Sequence, residues 1–124
     1  MRASITAARI SGPTQESDGT ACVEFRFAAT DPVFAGHFPN QPLVPGVFQL
    51  EMARLGAEWL IGEQLGVRDI SRAKFLRPIV PDELVRMHLR LSKSDEEIGV
   101  RATFSVGGQA AGETVLKLVK ANGT

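Results

Sequence analysis

Val23, Phe25 and Phe27 alternate with Glu24 and Arg26, the two-residue period of a strand with one buried face. The period returns over Leu84–Ser92, where Val85, Met87, Leu89 and Leu91 oppose Arg86, His88 and Arg90. It returns again over Ile98–Val106, where Ile98, Val100, Ala102, Phe104 and Val106 oppose Arg101, Thr103 and Ser105. Gly107-Gly108 then signals a two-residue hairpin into a last strand, Gln109 to about Lys120. Ser4–Ile10 and Ile70–Leu76 read as further strands, with no helix expected ahead of the first and a turn-rich loop over Ser11–Gly19. From Gly46 to about Leu65 the apolar residues run most of the way round a helix, which marks a buried one. Pro45 suits its start and Gly66 its end. Before it, Asp31–Gly46 carries Pro32, Pro39, Pro42 and Pro45, a density that predicts a rigid irregular loop. Two strands, a long helix and four more strands in a meander predict an α+β fold: one domain over residues 1–124, with an antiparallel sheet curled around a central helix.

Composition narrows the function. At 124 residues the chain has the size of one core. Its 14 Lys and Arg balance 14 Asp and Glu, so no long-range field draws nucleic acid or an anionic membrane. No apolar block suits a signal peptide or a membrane span, and a cytoplasmic location is expected. The lone Cys22 makes neither an intramolecular disulfide nor a cysteine-based metal site, and its alternating surroundings predict a buried, inert thiol.

There are two histidines in the chain. His88 alternates with core residues and is expected to face outward or towards a partner. His37 sits in the proline-rich loop shortly before the helix, where the backbone donors of Gly46 and Val47 are expected, and is a candidate proton-transfer group beside an anion-stabilising site. Glu51, Arg54 and Glu58 form a polar stripe on the otherwise apolar helix. A carboxylate there must be paired, exposed or protonated. Pairing of Glu51 with Arg54 is the plain reading, and an acid role for Glu51 is the sharper one.

The stretch Gly36-His37-Phe38-Pro39, Pro42, Pro45-Gly46 and Glu51, with the carboxylate fourteen residues after the histidine, resembles the signature of the β-hydroxyacyl-acyl carrier protein dehydratases. A second segment, Lys74-Phe75-Leu76-Arg77-Pro78-Ile79-Val80-Pro81, is similar to that family's basic-aromatic-X-Arg-Pro-Val-Val-Pro run. The resemblance covers about Asp31–Pro81 and implies the hotdog fold. Asn40 stands where the family usually has Gly, and Leu55 where general fatty-acid members often have Gln. Gln49 looks more like the dehydratases of aryl polyene or other specialised lipid pathways.

The implied reaction is reversible removal of water from a 3-hydroxyacyl thioester to give the trans-2-enoyl thioester. It casts His37 as base, Glu51 as the group that protonates the leaving hydroxyl or holds the water, and the Gly46 backbone N–H, with Val47, as the oxyanion donor. As an acid, Glu51 is expected to keep its proton by desolvation in an apolar tunnel. Val47, Phe38, Pro45, Phe48 and Leu55 are candidate substrate contacts, and Phe34, Leu50 and Trp59 are candidates for either tunnel lining or core. Arg72, Lys74 and Arg77 are candidate contacts for an acidic acyl carrier protein and the phosphate of its phosphopantetheine, or else a solvated face. No metal and no cofactor of the protein's own is expected. The family shares each site between two subunits, so a homodimer is implied, with further assembly of dimers open. A hotdog acyl thioesterase and a non-catalytic acyl-binding subunit are the alternatives; retention of both His37 and Glu51 argues against the second.

Overall fold

The computed structural model describes residues 1–35 and 41–121. The chain begins with a helix, α1 (Arg2–Ala8), where a strand over Ser4–Ile10 was expected. Alternation misleads here because Ile5 and Ala8, three apart, form one buried face of a short alanine-rich helix. The first strand, β1 (Arg9–Gln15), therefore runs through the residues expected to be loop. Next come β2 (Ala21–Phe25), a single 3₁₀ turn over Pro32–Phe34 and the long helix α2 (Val47–Ile61). The rest are β3 (Leu65–Phe75), β4 (Val85–Lys93), β5 (Ile98–Val106) and β6 (Gln109–Lys120). Helix α2 is shorter than expected. It stops at Gly62, whose left-handed φ of 80° lets its N–H close on the Glu58 carbonyl, while Gly66 lies inside β3.

All strand pairs are antiparallel, in the order β1-β2-β4-β5-β6-β3, the hotdog arrangement of a sheet around a helix. The expected Gly107-Gly108 hairpin joins β5 to β6, both glycines at positive φ. Val23, Phe25, Met87, Leu89, Phe104, Leu116 and Leu118 of the sheet and Met52, Leu55 and Ala57 of α2 are essentially inaccessible and belong to one buried cluster. Burying a side chain such as Leu55 contributes about 2 kcal/mol of transfer free energy.

The two edges of the sheet differ. β1 carries Pro13 and two register irregularities, features that blunt an edge. β3 is eleven residues long, and beyond Leu65 and Gly66 all of it is exposed, including Val67, Ile70 and Phe75.

Candidate active site

The site is built where the two sequence motifs meet. Val44, just ahead of α2, donates its N–H to the Ile79 carbonyl at 2.8 Å, so the proline-rich segment is tied to the Arg77–Pro81 run. Phe75, at the end of β3, lies over the start of α2: a Cβ built on Gly46 would stand 2.9 Å from its ring carbons. Gly46 is thus needed for a close approach as well as for its backbone.

At the helix start, the Phe48 and Gln49 N–H groups donate to the Pro45 and Gly46 carbonyls, each at 2.9 Å. Among the described residues, the Gly46 and Val47 N–H groups donate to no acceptor. They stand at the positive end of a four-turn helix, the arrangement that stabilises negative charge on a ligand oxygen. Val47 is exposed and Pro45 half-buried. Phe48 sits in the core cluster, edge-on to Phe27, and Leu55 is fully buried in the core. Trp59 packs against Phe25 and lies under the Arg9 guanidinium, 4.0 Å from the ring centroid. Phe34, Leu50 and Trp59 are partly buried against the core. His37 and Phe38 lie outside the described residues, as does Asn40.

Glu51, one turn into α2, is ion-paired. Arg54 Nε donates to Glu51 Oε2 at 2.8 Å, and Arg54 Nη2 donates to Oε1. The guanidinium hydrogen bonds hold the Glu51 carboxyl below its ordinary value of 4.5, against burial, which pushes the other way. The expectation that desolvation keeps Glu51 protonated is therefore corrected: its partner outweighs its burial, and near neutral pH the group is a carboxylate. Arg54 also reaches Glu58 Oε2 at 2.7 Å and the Leu65 carbonyl at 2.9 Å.

Gln49 is a residue whose place the sequence does not reveal. Its side chain is buried beneath β6, with Oε1 unpartnered among the described residues. Gly112 makes room for it, since a Cβ there would collide with Gln49 Oε1 and stand 2.9 Å from the Lys74 carbonyl. A helix glutamine ordinarily points to solvent, and only the glycine opposite, sixty-three positions later, allows it inside.

The basic candidates are partly neutralised. Arg72 pairs with Glu113 at 2.9 Å and Arg77 with Glu83 at 2.8 Å, while Arg72 and Lys74 line one open groove with Glu113. Cys22 is half-buried on the outer face of the sheet rather than in the core, because β2 turns Ala21, Val23 and Phe25 inward and leaves Cys22 and Glu24 outside. It stands opposite His88, which faces outward as expected, 3.1 Å from Glu16. Burial, joined by Glu16 and Glu24, pushes the Cys22 thiol up, so it remains protonated and poorly nucleophilic.

Residues 13–115 match the family model of the ApeI-like proteins, described as ApeI dehydratase. The chain belongs to the ApeI-like dehydratase family. A 3-hydroxyacyl-[acyl-carrier-protein] dehydratase FabZ of Pelotomaculum thermopropionicum is 34% identical over 108 residues, 80% of this chain and 77% of the relative. The FabZ of Rhodospirillum rubrum is 32% identical over 97 residues, 60% of this chain and 61% of its own length. Among solved structures, the dehydratase heterocomplex ApeI:P from Xenorhabdus doucetiae superposes with a TM-score of 0.72 at 25% identity, over 90% of this chain and 96% of that one.

Proposed function

We propose that this ApeI-like chain catalyses the reversible dehydration of 3-hydroxyacyl thioesters carried on acyl carrier protein to trans-2-enoyl thioesters, in fatty-acid or related polyene lipid synthesis. The observation that carries the reading is the pair of N–H groups of Gly46 and Val47 at the α2 start, which donate to no acceptor among the described residues and lie one turn before Glu51. Removing a proton from C2 places negative charge on the thioester oxygen, and fixed donors at that oxygen lower the barrier by about 3 kcal/mol each. His37 is the base that takes the C2 proton, and Glu51 engages the C3 hydroxyl. Val47 and Pro45 at the helix start contact the thioester, joined by Phe38, the sequence neighbour of His37. Phe48 and Leu55, from the core side, set how far an acyl chain enters.

The reading calls for no metal and no cofactor beyond the phosphopantetheine that bears the substrate. Arg72, Lys74 and Arg77 meet the acidic carrier; Arg72 is ion-paired with Glu113 and Arg77 with Glu83, and exposed Lys74 is the leading contact. The active species is a homodimer joined along β3, whose long, exposed edge contrasts with the proline-blunted β1. No helix among the described residues is long and apolar enough to cross a membrane. Hydration of a trans-2-enoyl thioester, followed by loss of its conjugated absorbance, tests the function. Wild type consumes the signal, and His37→Ala and Glu51→Ala do not; an unchanged signal with wild-type protein across chain lengths refutes the reading.

A further inference from the structure

We infer that Arg54 is a positioning residue that holds Glu51 as an oriented carboxylate, so that the site offers the substrate hydroxyl a hydrogen-bond acceptor rather than a proton donor. The inference rests on the dehydratase reading and concerns how that site works.

An isolated surface pair at this helical spacing contributes little and holds no particular geometry. This pair is different because the guanidinium is fixed from both sides. One edge takes both oxygens of Glu51, with Nε at 2.8 Å from Oε2. Nη1 meets Glu58 Oε2 at 2.7 Å and the Leu65 carbonyl at 2.9 Å. Glu58 is itself committed: Oε2 also accepts the Leu65 N–H at 2.8 Å, and Oε1 accepts from Arg2 Nη2 at 2.8 Å. The side chains of Arg54, Glu51 and Glu58 are 16%, 20% and 10% exposed, so solvent screens them weakly. The plane of Arg54 is thus set by α2 and the first residue of β3, with α1 fastened to the far end through Arg2. Only a planar fork makes this set of contacts, and a lysine reaches one acceptor at a time.

Among the described residues, the side chains that act on Glu51 by charge are Arg54 from its own helix and Arg2 from α1, both favouring the anion. Glu58, a nearby like charge in this network, is balanced by Arg54 and Arg2. An ionised carboxyl accepts hydrogen bonds and gives none. It therefore orients the C3 hydroxyl by accepting from it. The proton taken from C2 by His37 is the one that leaves with the hydroxyl: the C2–H pair becomes the C2=C3 bond, the C3–O bond breaks, the base returns its proton to that oxygen, and water departs with nothing else consumed.

The full chain is assayed for enoyl-thioester hydration against pH as wild type, Arg54→Gln, Arg54→Lys and Glu58→Gln, alongside a ¹³C NMR titration of the glutamate carboxyls with Glu51 assigned through Glu51→Gln. In wild type the Glu51 carboxyl titrates below the ordinary glutamate range, and in Arg54→Gln it moves up. Arg54→Gln loses roughly 10- to 100-fold in kcat, with KM changing less and the acid limb of the profile moving up. Arg54→Lys recovers part of the loss. Glu58→Gln keeps an amide oxygen to accept from Arg54 Nη1, so the fork stays on Glu51 with the wild-type acid limb, whereas a purely structural network would make it behave like Arg54→Gln. A wild-type Glu51 titrating above the ordinary range, or an Arg54→Gln variant more active at neutral pH, overturns the inference. Should Arg54→Gln not fold, the wild-type titration and Arg54→Lys still decide it. Should wild type turn over no thioester, the dehydratase reading fails while the titration separately tests the hold of Arg54 on Glu51.

Discussion

Glu51 illustrates what a residue's neighbours can and cannot be read from. Its spacing from Arg54 was visible along the helix, and so was its distance from His37, but the two patterns imply opposite protonation states. The choice depends on whether the guanidinium is anchored, and its anchors, the Leu65 carbonyl and a Glu58 held in turn by Arg2, rely on other elements. The lowered Glu51 pKa has a sign that can be tested. The folded state binds the Glu51 proton more weakly than the unfolded chain, so this contribution to stability is complete above the ordinary value of 4.5 and is lost as pH falls through the lower folded-state value. The melting temperature should fall on acidification below about 4.5, less steeply in Glu51→Gln than in wild type; identical acid slopes would contradict the pairing. Gln49 and Gly112 make a second case. Gly112→Ala places a methyl against Gln49 and the Lys74 carbonyl, and should cost about 1–3 kcal/mol in urea unfolding. A neutral result would show that Gln49 swings out freely.

Among the elements, those with a strict two-residue period were legible nearly to the residue: Ile98–Val106 is β5 as read, and the Gly107-Gly108 hairpin closes it. The start of the chain was not. Ser4–Ile10 carries both a strand-like alternation and an alanine-rich helical bias, and a seven-residue helix has little stability of its own. What decides is packing of α1 against α2, together with the Arg2–Glu58 contact, neither of which is local. Ile5→Ala should then destabilise the protein by about 2–5 kcal/mol in denaturant unfolding, the range for a buried aliphatic. A loss under about 1 kcal/mol would mean that α1 is peripheral to the core. The end of α2 was misjudged for a related reason. Gly62 and Gly66 are both adequate stops, and the chain takes the earlier one because Leu65 must be free to enter β3 and meet Glu58 and Arg54.

For the whole molecule, the architecture followed from element order, because a helix that is apolar nearly all round has to be enclosed by the only sheet available. The candidate site was half legible: the motifs pointed to Gly46 and Glu51, which stand one turn apart at the start of α2, and the close approach of Phe75 to Gly46 brings the second motif against the first. The exposure of β3 was not legible, since an exposed edge is a property of the folded sheet. A dimer along β3, with each site drawing His37 and Glu51 from different subunits, makes a quantitative prediction. Inactive His37→Ala and Glu51→Ala proteins, mixed and allowed to exchange subunits, should regain about a quarter of wild-type activity, because half of the dimers carry one intact site. No recovery despite proven exchange would place both residues of a site in one chain.

The central claim is the reaction itself, and the mass of the acyl carrier protein reports it directly. Carrier loaded with a 3-hydroxyacyl group, incubated with wild type and with Glu51→Ala, should lose the mass of one water in the first case and none in the second. Release of the free acid by wild type, or an unchanged carrier mass at every chain length, would contradict the account.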